Sequence, residues 1–178
     1  RVRVTGGAGG NGCRSFRREK YVPRGGPNGG DGGNGGSVYF VADRRYTSLL
    51  DLKYHAHWKG QPGVHGSGSD CHGKNGEDVL VHVPLGTVIK RADDEMIVAD
   101  LTDEGQRFLA ATGGRGGRGN ARFATATERA PQFAEIGEPG ADTEYLFELK
   151  VIAEVGLVGL PNAGKSTFLA AVTAARPK

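Results

Sequence analysis

The sequence predicts a mainly β protein, a sandwich or a barrel that carries glycine-rich projections, followed by the beginning of an α/β domain. Three observations support this fold class. Short apolar segments separated by turn residues fill most of the first 150 residues. Glycine recurs at every third residue in several tracts between these segments. Near residue 150 the pattern changes to an apolar strand, a glycine-containing loop and an alanine-rich helix.

The predicted strands are short and rich in apolar or β-branched residues. Some are continuous apolar runs, and one, 50–58, is predicted from the alternation of apolar with other residues. Pro84 and Gly86 mark turns in this region. Nothing before about residue 150 is typical of a long helix, so an all-β sandwich or barrel is the inference. The predicted strands are 37–42, 50–58, 79–83, 96–101, 107–111 and 145–152.

Glycine accounts for 31 of 178 residues, more than twice the roughly 7% of an average chain. The tracts at 6–12, 29–36 and 113–120 share a three-residue period, which is the period of a polyproline II helix. A flexible linker is the usual alternative for such composition. We favour packed polyproline-II-type helices because the tracts are short, share one period and alternate with strands. Weaker repeats occur at Gly60, Gly63, Gly66, Gly73 and Gly76.

Overall composition excludes several classes of protein. The net charge of +3 and pI near 9.0 permit an anionic partner without requiring one. Cys13 and Cys71 are too few for a disulfide framework, and their spacing to histidine matches no common zinc pattern. No apolar run approaches the about 20 residues that span a bilayer, and no signal peptide is visible. Because the chain opens on Arg1 and stops just after a helical segment, we expect a fragment.

The stretch GLPNAGKS, from Gly159 to Ser166, has the spacing of a phosphate-binding P-loop. Glycines let backbone N–H groups turn toward phosphate oxygens, and the helix predicted over 165–175 adds its positive end. Lys165 supplies a cation for the β and γ phosphates, and the Ser166 hydroxyl is placed to ligate Mg²⁺. A simple glycine turn would need neither side chain. The predicted nucleotide-binding residues are Gly159, Leu160, Pro161, Asn162, Ala163, Gly164, Lys165, Ser166 and Thr167.

An Asp-x-x-Gly sequence at 70–73 precedes the P-loop, whereas the magnesium-linked motif of such domains follows it, so we interpret it as coincidence. Two groups of basic residues are candidates for contact with RNA phosphates in a salt-dependent way. A solvated surface that keeps the domain soluble is the alternative interpretation. The candidates are Arg14, Arg17, Arg18, Lys20 and Arg24, and, on a glycine tract, Arg115, Arg118 and Arg122.

Three runs together are distinctive: CRSFRREKYVPRGGPNGGDGGNGGSV at 13–38, then VPLGT, then GLVGLPNAGKST. With them the chain closely resembles the Obg family of GTPases over essentially its whole length. The resemblance implies an Obg domain at residues 1–152, built as a β-barrel bearing a bundle of glycine-rich type II helices. Residues 153–178 would then be the N-terminal fragment of the GTPase domain.

The resemblance also implies a function. It implies GTP and GDP as ligands, Mg²⁺ at Ser166, and K⁺ near Asn162. The full-length protein would hydrolyse GTP and assist maturation of the large ribosomal subunit by contacting its rRNA, as a monomer that binds no DNA and spans no membrane. Bacterial cytoplasm is the expected compartment, with a mitochondrial or plastid matrix as the alternative. A GTP-switched protein-interaction module in stress or growth signalling is the alternative function.

The expected activity belongs to the longer protein. The switch threonine, the downstream Asp-x-x-Gly and the guanine-reading Asn-Lys-x-Asp of such domains do not follow the P-loop within these 178 residues. We therefore expect this chain alone not to hydrolyse GTP efficiently. No catalytic base can be named from its residues.

Overall fold

The computed structural model describes residues 1–19, 25–150, 158–160 and 164–172. Within these ranges the chain forms eight strands, two α-helices and one 3₁₀ turn, Asn120–Phe123. The helices are α1, Leu50–Tyr54, and α2, Lys165–Val172. The strands are β1 Val2–Thr5, β2 Val38–Ala42, β3 His57–Lys59, β4 Val79–Val83, β5 Thr87–Arg91, β6 Ile97–Leu101, β7 Arg107–Ala111 and β8 Asp142–Leu149.

The strands form two mixed sheets. One has the order β3-β1-β8-β5-β6 and the other the order β4-β2-β7. The β1–β3 and β2–β4 pairs are parallel, and the other pairs are antiparallel. The mainly β prediction is therefore confirmed. The described strands do not close into one hydrogen-bonded barrel, because each sheet keeps two edge strands, and of the two predicted architectures the sandwich describes them better.

A single hydrophobic core contains side chains from both sheets. Val2 and Val4 are buried while Arg3 between them is exposed, which is the alternation expected of a strand with one face on the core. Phe40 of β2 meets Tyr145 of β8 edge to face, with ring centroids 6.4 Å apart. The Tyr145 hydroxyl donates a 2.7 Å hydrogen bond to the Ala110 carbonyl of β7. Apolar packing and this buried bond thus join the sheets.

The prediction of one strand over 50–58 is wrong in its first half. Residues Leu50–Tyr54 form α1, and only His57–Lys59 form a strand. The Ser48 hydroxyl accepts a 3.2 Å hydrogen bond from the Leu50 N–H, and a local turn follows. Alternating apolar residues also satisfy helical i, i+4 spacing in so short a segment, and within α1 only Leu52 is buried.

Most other predicted strands are confirmed with small changes of boundary. β4 and β7 lie where they were predicted, and β2 and β6 each begin one residue late. β8 begins three residues earlier than predicted and ends at Leu149, so Lys150 is not part of it, and residues 151 and 152 of that prediction lie outside the described residues. β1 and β5 were not predicted. Residues 173–175 of the predicted helix are also outside the described residues.

The glycine tracts pack together, as predicted. The structure shows six of them in the part of the chain it describes, and each lies next to a strand in the sequence, either just after it or just before it. Three run away from the sheets and three return, so the connecting loops meet at the far end. We call these tracts together the glycine bundle; they are 6–12, 29–36, 60–66, 73–76, 113–119 and 137–140.

Hydrogen bonds between tracts recur at every third residue. The N–H groups of Gly7, Gly10 and Cys13 donate to the carbonyls of Gly36, Gly33 and Gly30 at 2.8, 2.8 and 2.9 Å. The remaining tracts form backbone hydrogen bonds with one another at the same three-residue period. These bonds satisfy N–H and C=O groups of the tracts, which lie in neither a helix nor a sheet. Such close approach requires glycine: a Cβ on Gly10 would lie 2.1 Å from the Val64 carbonyl oxygen.

An ion pair between Arg3 of β1 and Asp142 of β8 links these two strands. The Asp142 carboxylate accepts hydrogen bonds from the Arg3 guanidinium and from the Thr5 hydroxyl, the latter at 2.8 Å. These hydrogen bonds hold the pKa of Asp142 at about 2, below the about 3.9 of an unfolded chain. The folded state therefore gains stability from this carboxylate above about pH 4 and loses it as the pH falls toward 2.

We accordingly expect Asp142→Asn to flatten the fall in unfolding free energy between pH 5 and pH 2, because asparagine does not titrate. Urea unfolding of both proteins across this range measures the effect. Asp93→Asn is the matched control, since Asp93 has no ion pair among the described residues. Parallel pH curves for the wild type and Asp142→Asn would contradict the assignment.

Candidate functional site

The described part of the P-loop leads directly into α2. Gly164 has a φ of 79°, a conformation that residues with a side chain rarely adopt. The Phe168 N–H bonds the Gly164 carbonyl at 2.9 Å as the first bond of the helix. The N–H groups of Lys165, Ser166 and Thr167 have no carbonyl four residues earlier within the helix to bond to, so they are left for other acceptors. They and the positive end of the helix form a surface suited to phosphate.

Lys165 is held against the loop. Its Nζ donates to the carbonyl oxygens of Gly159 and Leu160 at 2.6 and 2.5 Å, which places the ammonium over the backbone of the loop. Ser166 and Thr167 are exposed, so their hydroxyls are available to a ligand. The residues described here fit a triphosphate with a hard cation such as Mg²⁺, whose ligands are oxygens. Pro161, Asn162 and Ala163 lie outside the described residues.

The far end of the glycine bundle is a second candidate site. Three loops meet there, and we call their described residues, 13–19 with 25–28, 67–72 and 120–136, the distal end. The Asp70 N–H donates to the Asn28 carbonyl at 2.8 Å, which joins the second loop to the first. Arg14 donates to the Gln132 carbonyl at 3.1 Å, which joins the first to the third. The Asp-x-x-Gly sequence at 70–73 thus lies in the second loop, at the point where the chain enters tract 73–76.

The predicted RNA-contact residues fall into two places. Arg14, Arg17 and Arg18 belong to the distal end, whereas Arg115 and Arg118 lie along the side of the bundle, next to a groove. Arg122 contributes to that groove from the start of the third loop. Lys20 and Arg24 lie outside the described residues.

Several of these arginines already have acidic partners. Arg17 pairs with Glu19 at 2.8 Å, Arg122 with Asp31 at 2.6 Å, and Arg118 more loosely with Glu135 at 3.9 Å. In the ranges that the structure describes, Arg14, Arg18 and Arg115 have no carboxylate within ion-pair distance, and Arg14 is instead bonded to the Gln132 carbonyl. Arg18 and Arg115 therefore have charge that neither a carboxylate nor a loop carbonyl already holds.

Comparison with known proteins shows the family of the chain. The family model described as GTP1/OBG matches residues 1–151, which is most of the chain. The chain belongs to the GTP1/OBG family. It is 57% identical over all 178 residues to GTPase Obg of Moorella thermoacetica and 56% identical to GTPase Obg of Chlorobium phaeobacteroides. It spans 42% and 55% of the lengths of these two relatives.

Two further findings concern this GTP1/OBG protein. No helix in the described ranges is both long enough and apolar enough to cross a bilayer. Histidine, cysteine and acidic residues do not gather in groups of three or more that could hold a metal ion, again within the described residues.

Sequence reasoning missed Asn120, a fully buried residue that organises the distal end of this family member. Its Oδ1 accepts hydrogen bonds from the N–H groups of Gly29 and Ser15 at 2.9 and 3.4 Å. Its Nδ2 donates to the carbonyls of Ser15 and Pro131 at 3.0 and 3.2 Å. One amide thus joins the first loop, the second tract and the third loop. The signal was its position in the last triplet of GGRGGRGN, where asparagine takes the place of the second glycine.

We expect Asn120→Asp to destabilise the chain by about 2–4 kcal/mol, because a carboxylate oxygen would replace the donor that faces two carbonyls. Chemical denaturation measures the loss. Asn11→Asp is the control, since Asn11 is exposed and needs only its oxygen to accept the Gly137 N–H at 3.0 Å. Equal stabilities of the two variants would show that the Asn120 amide does not hold the loops together.

Proposed function

We propose that the full-length protein is a GTP-binding and GTP-hydrolysing factor that acts in maturation of the large ribosomal subunit. The observation that carries the proposal is the P-loop, in which Lys165 is held on the loop carbonyls and Gly164 has a positive φ. The relatives that match the whole chain are named GTPase Obg. Under this proposal residues 1–152 form the Obg domain and residues 153–178 begin the GTPase domain. The factor would work wherever its ribosomes are, in bacterial cytoplasm or an organelle matrix.

In this proposal each P-loop residue has a defined role. Lys165 neutralises the β and γ phosphates, the Ser166 hydroxyl ligates Mg²⁺, and Thr167 reaches the α phosphate. Asn162 would help hold K⁺. Phosphoryl transfer depends mainly on positioning and charge stabilisation, so these residues assist by holding the triphosphate in place.

The glycine bundle would present the distal end to rRNA. A tract such as 6–12 extends the chain by roughly 20 Å at the polyproline II rise, and its regular cross-bonds make it a firm support. The arginines at its far end would contact RNA phosphates. Arg18 is the strongest candidate because, among the described residues, it lacks a carboxylate partner and, unlike Arg14, is not bonded to a loop carbonyl.

We expect Arg18→Glu to weaken association of the full-length protein with isolated large subunits about tenfold, and to reduce the salt dependence of binding. Arg17→Glu should have a smaller effect, because Glu19 already neutralises Arg17. Sedimentation at several salt concentrations measures both. Arg44→Glu, at an exposed arginine that pairs with Glu104, is the control for charge reversal elsewhere. Unchanged association of Arg18→Glu would remove the RNA role of the distal end.

The exposed apolar residues of the third loop favour a second candidate function, a GTP-switched protein-interaction module. Phe133 and Ile136 are 50% and 79% exposed. Photo-crosslinking from position 136 in cells separates the two functions. Adducts with rRNA support the ribosome factor, and adducts with a single non-ribosomal protein support the interaction module.

A further inference from the structure

A groove with a volume of about 450 Å³ runs along the side of the glycine bundle. Tract 29–36 forms its floor, and residues 72–75 and 115–118 form its walls. It lies toward the distal end but is distinct from the loop carrying Arg14, Arg17 and Arg18, since none of these residues lines it.

The two asparagines in the groove are fixed in orientation. Asn34 Oδ1 accepts the Gly116 N–H at 2.9 Å, and Asn75 Oδ1 accepts the Asn34 N–H at 2.8 Å. Since a backbone N–H can only donate, the atom facing it must be the amide oxygen. Both Nδ2 groups are therefore the atoms left to face a ligand, as hydrogen-bond donors on exposed side chains.

The other side-chain acceptors of the groove are also occupied. Asp31 Oδ1 accepts the Gly119 N–H at 2.8 Å, and Oδ2 accepts from Arg122 at 2.6 Å. Partial burial alone would raise the pKa of Asp31, but the hydrogen bonds from Gly119 and Arg122 outweigh it and lower the pKa. His72 Nδ1 accepts the Asp31 N–H at 3.0 Å, which leaves the His72 proton on Nε2.

Two arginines supply the positive charge of the groove. Arg115 and Arg118 are exposed and stand three residues apart on one tract, which puts them about 9 Å apart along a polyproline II helix. Arg122 is already neutralised by Asp31, and Arg118 lies a loose 3.9 Å from Glu135, so Arg115 carries the least compensated charge of the three. The side chains of the groove thus offer donors and a net positive charge, while their acceptors are taken by the protein.

We propose that this groove binds phosphate groups, through Arg115, Arg118 and the side-chain amides of Asn34 and Asn75. Because each of these amide oxygens already accepts a hydrogen bond while the Nδ2 and arginine donors face outward, the groove favours a fully deprotonated oxyanion over sugars, amides and other ligands that must donate. Phosphate can come from the backbone of an RNA strand or from a free nucleotide. The RNA source rests on the proposed function, and the nucleotide source is independent of it.

The first test exchanges one donor for an acceptor. Asn75→Asp keeps the oxygen that holds the Asn34 N–H but replaces Nδ2 by a second oxygen. Asn11→Asp is the matched control, because Asn11 Oδ1 likewise accepts a backbone N–H and lies outside the groove. Binding of the 178-residue chain is measured with a fluorescent 12-nucleotide single-stranded RNA and, separately, with a fluorescent GTP analogue in the Lys165→Ala background. We expect Asn75→Asp, and not Asn11→Asp, to lower the affinity for one of these probes at least tenfold.

The second test removes charge without adding any. Arg115→Gln with Arg118→Gln is compared with Arg44→Gln with Lys53→Gln, which loses the same charge elsewhere. If RNA is the ligand, the groove variant alone lowers the slope of log affinity against log salt by about 1.4, or about 0.7 per lost phosphate contact.

Each outcome bears on the proposal. A selective loss of RNA binding supports the RNA source, and a selective loss of GTP-analogue binding supports the nucleotide source. Equal affinities of groove and control variants for both probes overturn the phosphate site. Large-subunit association that survives in Asn75→Asp and in the double arginine variant would leave the proposed function standing without an RNA role for the groove. If the groove binds either probe but the full-length protein does not associate with large subunits, the phosphate site stands and the proposed function fails.

Discussion

Replacing Gly33 by alanine is expected to lower the melting temperature of the chain by about 6–12 °C, from an overpacking cost of about 3 kcal/mol. Gly33 is buried in the middle of the glycine bundle, and a Cβ there would lie 2.1 Å from the Lys74 carbonyl oxygen and 2.5 Å from its carbon. These are backbone atoms, so no side chain can rotate away to make room. The tracts must separate, and hydrogen bonds such as the one from Gly33 N–H to Val64 at 2.9 Å are strained with them.

Gly26→Ala is the matched control for this prediction. Gly26 is exposed and has no positive φ, and a Cβ there would meet no atom of the described residues within 4 Å. Its melting temperature should remain within about 3 °C of the wild type. Differential scanning calorimetry of the three proteins decides the matter. If Gly33→Ala and Gly26→Ala melt together, the tracts do not pack as closely in solution as in the structure.

Replacing Lys165 by alanine in the full-length protein is expected to weaken GTP binding at least about 100-fold. The loss corresponds to about 3 kcal/mol, the upper range for a hydrogen bond to a charged group. The ammonium lies over the loop, bonded to the Gly159 and Leu160 carbonyls, and no other cation of the described loop can replace it there.

Isothermal titration calorimetry with GTP and Mg²⁺ measures this loss. Lys150→Ala, which removes a lysine that pairs with Asp100 at 2.8 Å, controls for the general loss of a positive charge. Micromolar GTP binding by Lys165→Ala would remove the P-loop as the nucleotide site. Phosphate binding in the groove would still be expected after that result, because different residues form the groove.

Strands with a continuous apolar or β-branched run could be predicted from the sequence, and β2, β4 and β7 were. The segment at 50–58 could not, because Leu50, Leu52 and Tyr54 satisfy the spacing of both a short strand and one helical turn. Burial of Leu52 against the core, a tertiary effect, decided for the helix. β1 is four residues long, too short for its alternation to be recognised.

The packing of the tracts was also predictable from their shared period, but their arrangement was not. Every tract has a similar three-residue repeat, so the local sequence does not determine that tract 6–12 lies beside residues near 138. That neighbour is set by the pairing of β1 with β8, whose partners are distant in sequence. The tract at 137–140 was missed because it has only two glycines and includes Glu138 and Pro139.

At the candidate sites, the motif predicted Lys165 and Ser166 because a P-loop needs those residue types at that spacing. Asn34, Asn75 and Asn120 carried no such signal, since asparagine beside glycine is more typical of turns. Their roles depend on which backbone N–H each amide oxygen faces, and that is set by contacts between tracts far apart in the chain.

The repeated bonds from Gly7, Gly10 and Cys13 have a consequence for how the length of the bundle can vary. Inserting or deleting one residue in a tract would move every glycine beyond that point out of the interior and place a side chain against a neighbouring backbone. Only changes of three residues keep the register, and the partner tracts must change together. Length variation among homologues of this chain should therefore fall in the loops of the distal end, and a longer bundle should appear only as whole added layers.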